Sequence, residues 1–186
     1  MPELSELETD LDYVREIVGR AEEGASPSSV YFLWAGIVLV GWPLNDFYPQ
    51  AAGFYWMLAG PLGGIASAFL GARWARRVGQ ASRLLGIKHF LHWGAMLGAI
   101  LLALPLQQTG QITPTGYVRL ILLLVALTYF LAGVYLSRPM LWVAPVVLTC
   151  YIAGFFVDTY LWTGAGIVVA SSLAAAGFLR ARHART

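Results

Sequence analysis

Residues 71–90 read GARWARRVGQASRLLGIKHF, a polar stretch holding Arg73, Arg76, Arg77, Arg83 and Lys88. An apolar run of about 20 residues lies on either side, at 53–72 and at 88–106. A hydrocarbon core about 30 Å thick takes roughly 20 apolar residues of helix. The stretch therefore reads as a basic turn joining two membrane spans. Working outward, four more apolar runs appear at 29–48, 117–137, 139–157 and 160–180. Six spans occupy most of a 186-residue chain that is 58% hydrophobic and only 12% charged. The expected fold is all-α and polytopic, with six transmembrane helices, and no room remains for a separate soluble catalytic domain.

The basic residues alternate between the gaps. Arg15 and Arg20 precede the first span, and the next gap has none. The 71–90 turn has five, the gap at 107–116 has none, and Arg138 follows. The next gap again has none, and Arg180, Arg182 and Arg185 close the chain. Arg119, at the edge of the fourth span, is the exception. Lysine and arginine resist translocation, so the rich gaps belong on the cytoplasmic side. Both termini are expected there, and an even number of spans requires that they agree. The arginine-rich, lysine-poor composition suggests a bacterial inner membrane. The basic residues flank spans, which makes them topology signals and headgroup contacts in a lipid bilayer; no nucleic-acid partner is expected. Pro43, Pro61, Pro105 and Pro145 are expected to kink or end their helices, because proline lacks a backbone donor.

Residues 1–28 differ from the rest. They carry eight carboxylates against two arginines, a net charge of −6. Leu4, Leu7, Leu11, Val14, Val18 and Ala21 recur at spacings of three and four, the stripe of an amphipathic helix. An acidic helix is a poor ligand for a negative membrane surface. Its stripe is expected to meet protein: a second copy of the chain, a cytoplasmic partner, or the chain's own basic turn at Arg73, Arg76 and Arg77. The domain reading is thus a cytoplasmic amphipathic helix and linker over 1–28, a membrane domain over 29–180 and a basic tail over 181–186.

Outside residues 1–28 only two acids remain, Asp46 and Asp158. Both are placed at outer ends of spans, as is Arg119. These three are the candidate ligand-binding residues of an outer-facing pocket. His89 and His92 share a helix face with Met96, and are the candidate metal ligands, since imidazole and thioether suit copper or haem iron. No ionisable group stands near mid-depth, where proton-coupled carriers usually place one. The small residues Gly60, Gly64, Ala68 and Ala72, then Gly94 and Gly98, then Gly166, Ala170 and Ala174 form stripes that let helices approach closely. Packing within the chain is their expected use.

The sequence has no G-x-S-x-G elbow, no H-E-x-x-H and no Gly-rich phosphate loop. No enzyme activity and no cofactor are expected. The leading reading is a non-enzymatic regulatory or scaffold membrane protein with a cytoplasmic interaction surface. The alternative is a small transporter or channel subunit with an outer polar site, and a third reading is a metal or haem protein.

Overall fold

The computed structural model describes residues 27–77, 79, 83–157 and 159–183, and every regular element among them is a helix. In chain order these are α1 (Ser28–Gly41), the single turn α2 (Leu44–Phe47), α3 (Pro49–Arg77), α4 (Arg83–Gln108), α5 (Pro114–Tyr135), α6 (Met140–Ala153) and α7 (Leu161–His183). With α1 and α2 taken together as Ser28–Phe47, five units are long and apolar enough to cross a membrane. The amphipathic stripe at Leu4, Leu7, Leu11, Val14 and Val18 lies outside the described residues, as does Asp158.

The expected fifth span is where sequence and structure part. In place of a helix over 139–157, α6 holds 14 residues. At a rise of 1.5 Å per residue it is about 21 Å long, short of the roughly 30 Å hydrocarbon core. The chain turns at Gly154. Backbone bonds from Gly154 to Cys150, from Phe155 to Ile152 and from Phe156 to Ala153 close the turn. Three helices run longer than expected: α3 reaches Arg77, α4 begins at Arg83, and α7 reaches His183, which draws residues 181–183 of the expected tail into helix.

Of the four prolines, one stands at a helix end. Pro43 ends α1, and Asn45 Nδ2 donates to the Trp42 carbonyl at 3.1 Å, answering an acceptor at the break. Pro61, Pro105 and Pro145 sit inside continuous helices. The hydroxyls of Ser67, Thr128 and Thr149 bond back to the carbonyl four residues earlier, at 2.7–2.8 Å. That is how a hydroxyl is satisfied where water is scarce.

The helices pack in the order α3, α1, α7, α6, α5, α4. The core belongs to the four inner ones, and Leu173, Val143 and Val147 are its largest fully buried side chains. Gly166 fits against Trp42, and Gly177 against Tyr31 and Phe32, so α1 and α7 approach closely. A hydrogen bond of 3.3 Å between the Tyr31 and Ser137 hydroxyls ties the start of α1 to the α5–α6 turn.

The outermost helices, α3 and α4, each lean on one long neighbour. On α3 only Ala52 and Gly63 are buried, and on α4 only His92. Each is fastened at two levels. Trp34 Nε1 donates to Ser67 Oγ at 2.9 Å and Tyr55 donates to the Ile37 carbonyl at 2.8 Å, joining α3 to α1. His92 bonds to α5, and Tyr117 of α5 donates to the Ile100 carbonyl of α4 at 2.9 Å. The expectation about small residues holds for α7 only. A Cβ added at Gly60, Gly64, Gly94 or Gly98 would meet nothing within 4 Å. Interhelical hydrogen bonds in membranes average about 0.6 kcal/mol. Trp34→Phe is therefore expected to lower stability by roughly that amount, measured by unfolding in mixed micelles. A fall several times larger would show that the bond is not the fastening.

Candidate functional site

Asp46 and Arg119 lie at the same end of the bundle, and each answers a helix terminus. The first N–H groups of a helix have no partner inside it. At the start of α7 the preceding residue is Tyr160, with φ of 51°, and its side chain is no cap. Asp46, on the α2 turn, fills the role from across the bundle. Its Oδ2 accepts from both the backbone N–H and the hydroxyl of Thr163, each at 2.7 Å. A carboxylate there also faces the positive end of the helix dipole.

Arg119 does the converse. It is the sixth residue of α5, deeper than the sequence implied, because α5 starts at Pro114. Thr113 caps that start by accepting from Gly116 N at 3.0 Å. The Arg119 Nη2 donates to the carbonyl of Gly154, the C-cap of α6, so a cation sits at the negative end of the short helix. Its Cζ stands 4.7 Å from the centroid of the Phe155 ring, a cation–π contact. Nε is buried and has no hydrogen-bond partner among the described residues.

The two charges thus bracket the α6–α7 connection, each bonded to a helix end rather than to the other. Between them lies a polar cleft of about 530 Å³, lined also by Asn45, Thr115, Thr159 and Trp162. Two of the three charges expected in one pocket are brought together; the third, Asp158, is outside the described residues. The helix-end partners were not readable from the sequence. Thr163 is 117 positions from Asp46, and nothing local couples them.

His92 is buried on the α5 side of α4. Its Nε2 meets the Thr128 carbonyl at 3.1 Å and its Nδ1 meets the Tyr135 hydroxyl. A carbonyl only accepts, so the proton is on Nε2, and Nδ1 accepts from Tyr135. A metal at Nδ1 would have to displace that hydroxyl. Trp93 completes an aromatic cluster with His92 and Tyr129. His89 is partly buried, and its Nε2 has no partner among the described residues. No group of three His, Cys, Asp or Glu able to hold a metal ion occurs among the described residues.

Arg73, Arg76 and Arg77 stand exposed at the end of α3, and Arg76 Nε donates to the Ala72 carbonyl at 3.2 Å. Basic residues suit a helix C-terminus, so this arrangement serves α3 as well as any partner. Comparisons with protein-family models, with curated proteins and with solved structures find no match for the chain.

Proposed function

We propose that the chain is a non-enzymatic multi-pass membrane protein of regulatory or scaffold type. The observation that carries the reading is the uneven packing. The centre of the inner four helices is filled by aliphatic side chains, Leu173, Val143 and Val147 among them, which suits a body that holds shape more than one that passes a solute. The arms α3 and α4 expose Phe54, Leu62 and Ile65, then Phe90 and Leu102, among others. Where they join the connecting turn, Arg73, Arg76 and Arg77 stand on the arginine-rich end. In this reading that end is cytoplasmic, as are both termini, in a bacterial inner membrane. The apolar stripe of Leu4, Leu7, Leu11, Val14 and Val18 on the acidic segment and the basic surface together engage a protein partner or a second copy.

A photoreactive residue at position 76 tests it in membranes. The expected result is a discrete crosslinked species that disappears when residues 1–24 are deleted or when Arg73 and Arg77 become Gln. Crosslinking that is absent, or that is indifferent to both changes, would sink the reading.

The cleft at Asp46 and Arg119 favours a second reading, a small transporter or channel subunit with a ligand site on its outer face. Solute flux in proteoliposomes that is lost in Arg119→Gln would move the conclusion to it.

A further inference from the structure

The polar cleft does not end at its charged walls. An apolar groove of about 400 Å³ runs between α6 and α7, with Val146, Thr149 and Ala153 on one side and Gly164, Ala165 and Val168 on the other. Val157, Tyr160 and Leu161 line both spaces, so the groove and the cleft share a wall. We propose that the two together bind one zwitterionic phospholipid of the ethanolamine type. Its phosphate meets Arg119, its ammonium meets Asp46, and one acyl chain lies along the groove. The proposal deepens the ligand site of the second reading and does not depend on the scaffold reading.

The charges fit. Among the described residues that line the cleft, Arg119 and Asp46 carry the charges, one of each sign, as a head with one phosphate and one ammonium requires. A guanidinium has five N–H donors, and one of Arg119's goes to Gly154. Nε is buried, so the remaining Nη donors are the ones that would meet a phosphate. Asp46 accepts both Thr163 bonds on Oδ2, so Oδ1 is left as the acceptor for an ammonium. An anionic head with no cation of its own would set its charge against that carboxylate.

The depth fits as well. Arg119 is five steps below the first residue of α5, about 7 Å along the axis at 1.5 Å per residue. The short α6 ends at that recessed level, so with α5 spanning a bilayer the cleft would open near the boundary between headgroup and hydrocarbon. From Leu161 to Val168 the groove descends about 10 Å toward the membrane centre. The Thr149 hydroxyl in its wall is bonded to the Pro145 carbonyl at 2.8 Å, so the wall offers hydrocarbon. An α-helix is about 10–12 Å across with its side chains; a groove of this volume starting under a charge pair suits a string of methylenes instead.

The test uses the full-length protein, delipidated in detergent. Phosphatidylethanolamine, phosphatidylglycerol and water-soluble phosphoethanolamine are each titrated and followed by native mass spectrometry and thermal shift. Saturable binding of phosphatidylethanolamine is expected, at least about tenfold tighter than either of the others. Gly164→Leu fills the groove from within, and a Cβ there meets nothing within 4 Å, so the fold has room for it. It is expected to weaken phosphatidylethanolamine binding about tenfold or more by taking the place of the chain. Arg119→Gln should weaken it to a similar degree; where that variant does not fold, Gly164→Leu decides alone. Equal binding of phosphoethanolamine would mean a water-soluble ligand. Equal binding of phosphatidylglycerol would remove the role of Asp46. Undiminished binding by Gly164→Leu would remove the chain from the groove. Any of these overturns the proposal.

Discussion

Gly133→Ala is expected to destabilise the protein by about 2–3 kcal/mol, the upper part of the range for forcing one extra carbon into a packed core, and Gly133→Leu is expected to leave no monodisperse folded protein. Gly133 stands in the last turn of α5, against the first turn of α6. A Cβ at this position would lie 2.6 Å from the backbone nitrogen of Leu141. A side chain can swing away from such a contact, but a backbone nitrogen moves only with its helix. The first two turns of α6 supply Met140, Val143 and Val147 to the core, so shifting α6 disturbs the whole inner bundle. Gly60→Ala and Gly98→Ala are the controls. Their new methyls meet nothing within 4 Å, and alanine is preferred over glycine in helices by up to about 1 kcal/mol. Unfolding midpoints in mixed micelles should rank both controls at or above the parent and Gly133→Ala well below it. If Gly133→Ala matched the controls, α5 and α6 would not approach as closely as described.

The same comparison marks how far small-residue patterns can be read. Glycines at helical spacing permit close approach, but the pattern does not record whether an approach occurs. Gly166 and Gly60 look alike along the chain; one meets Trp42 and the other meets open space. The long helices were legible because a segment that crosses lipid must satisfy its own backbone, and five units here are long and apolar enough to do so. The failure at α6 has the same root. Phe155, Phe156 and Val157 are exposed and apolar, so hydropathy continues smoothly past a turn that the backbone has already made. Arg119 was the available signal: a guanidinium within a span calls for a carbonyl or carboxylate at its own depth, and the end of α6 is what supplies it.

At the site, the sequence made the shared location of Asp46 and Arg119 visible, since so few charges lie away from the arginine-rich gaps. It did not make their work visible. Both act on termini of helices distant in the chain, and the apolar groove beside them is formed from two faces that each read as ordinary membrane-facing surface. Proximity between α6 and α7 is a property of packing, and the residues that line the groove are the same types that line lipid elsewhere.

Asp46→Ala is expected to lower stability by about 2 kcal/mol, near the upper end for loss of a helix N-cap, because an acceptor of two hydrogen bonds is removed from a partly buried position. Asp46→Asn keeps an acceptor and loses the charge, so its cost should be nearer the 0.3–1 kcal/mol of a charge at a helix terminus, or roughly half that of the alanine variant. Thr163→Val removes the hydroxyl but keeps the backbone N–H, and should lie close to Asp46→Asn. In the double variant Asp46→Ala, Thr163→Val the losses should fall short of additive, since the alanine has already removed the partner of the hydroxyl. Additive losses would mean that Asp46 and Thr163 act separately and that α7 is not capped from α2. The ranking also bears on the ligand. If Asp46→Asn keeps the fold nearly intact while phosphatidylethanolamine loses its advantage over phosphatidylglycerol, the carboxylate has a second role beyond its helix; if that advantage persists, the cap is its whole role.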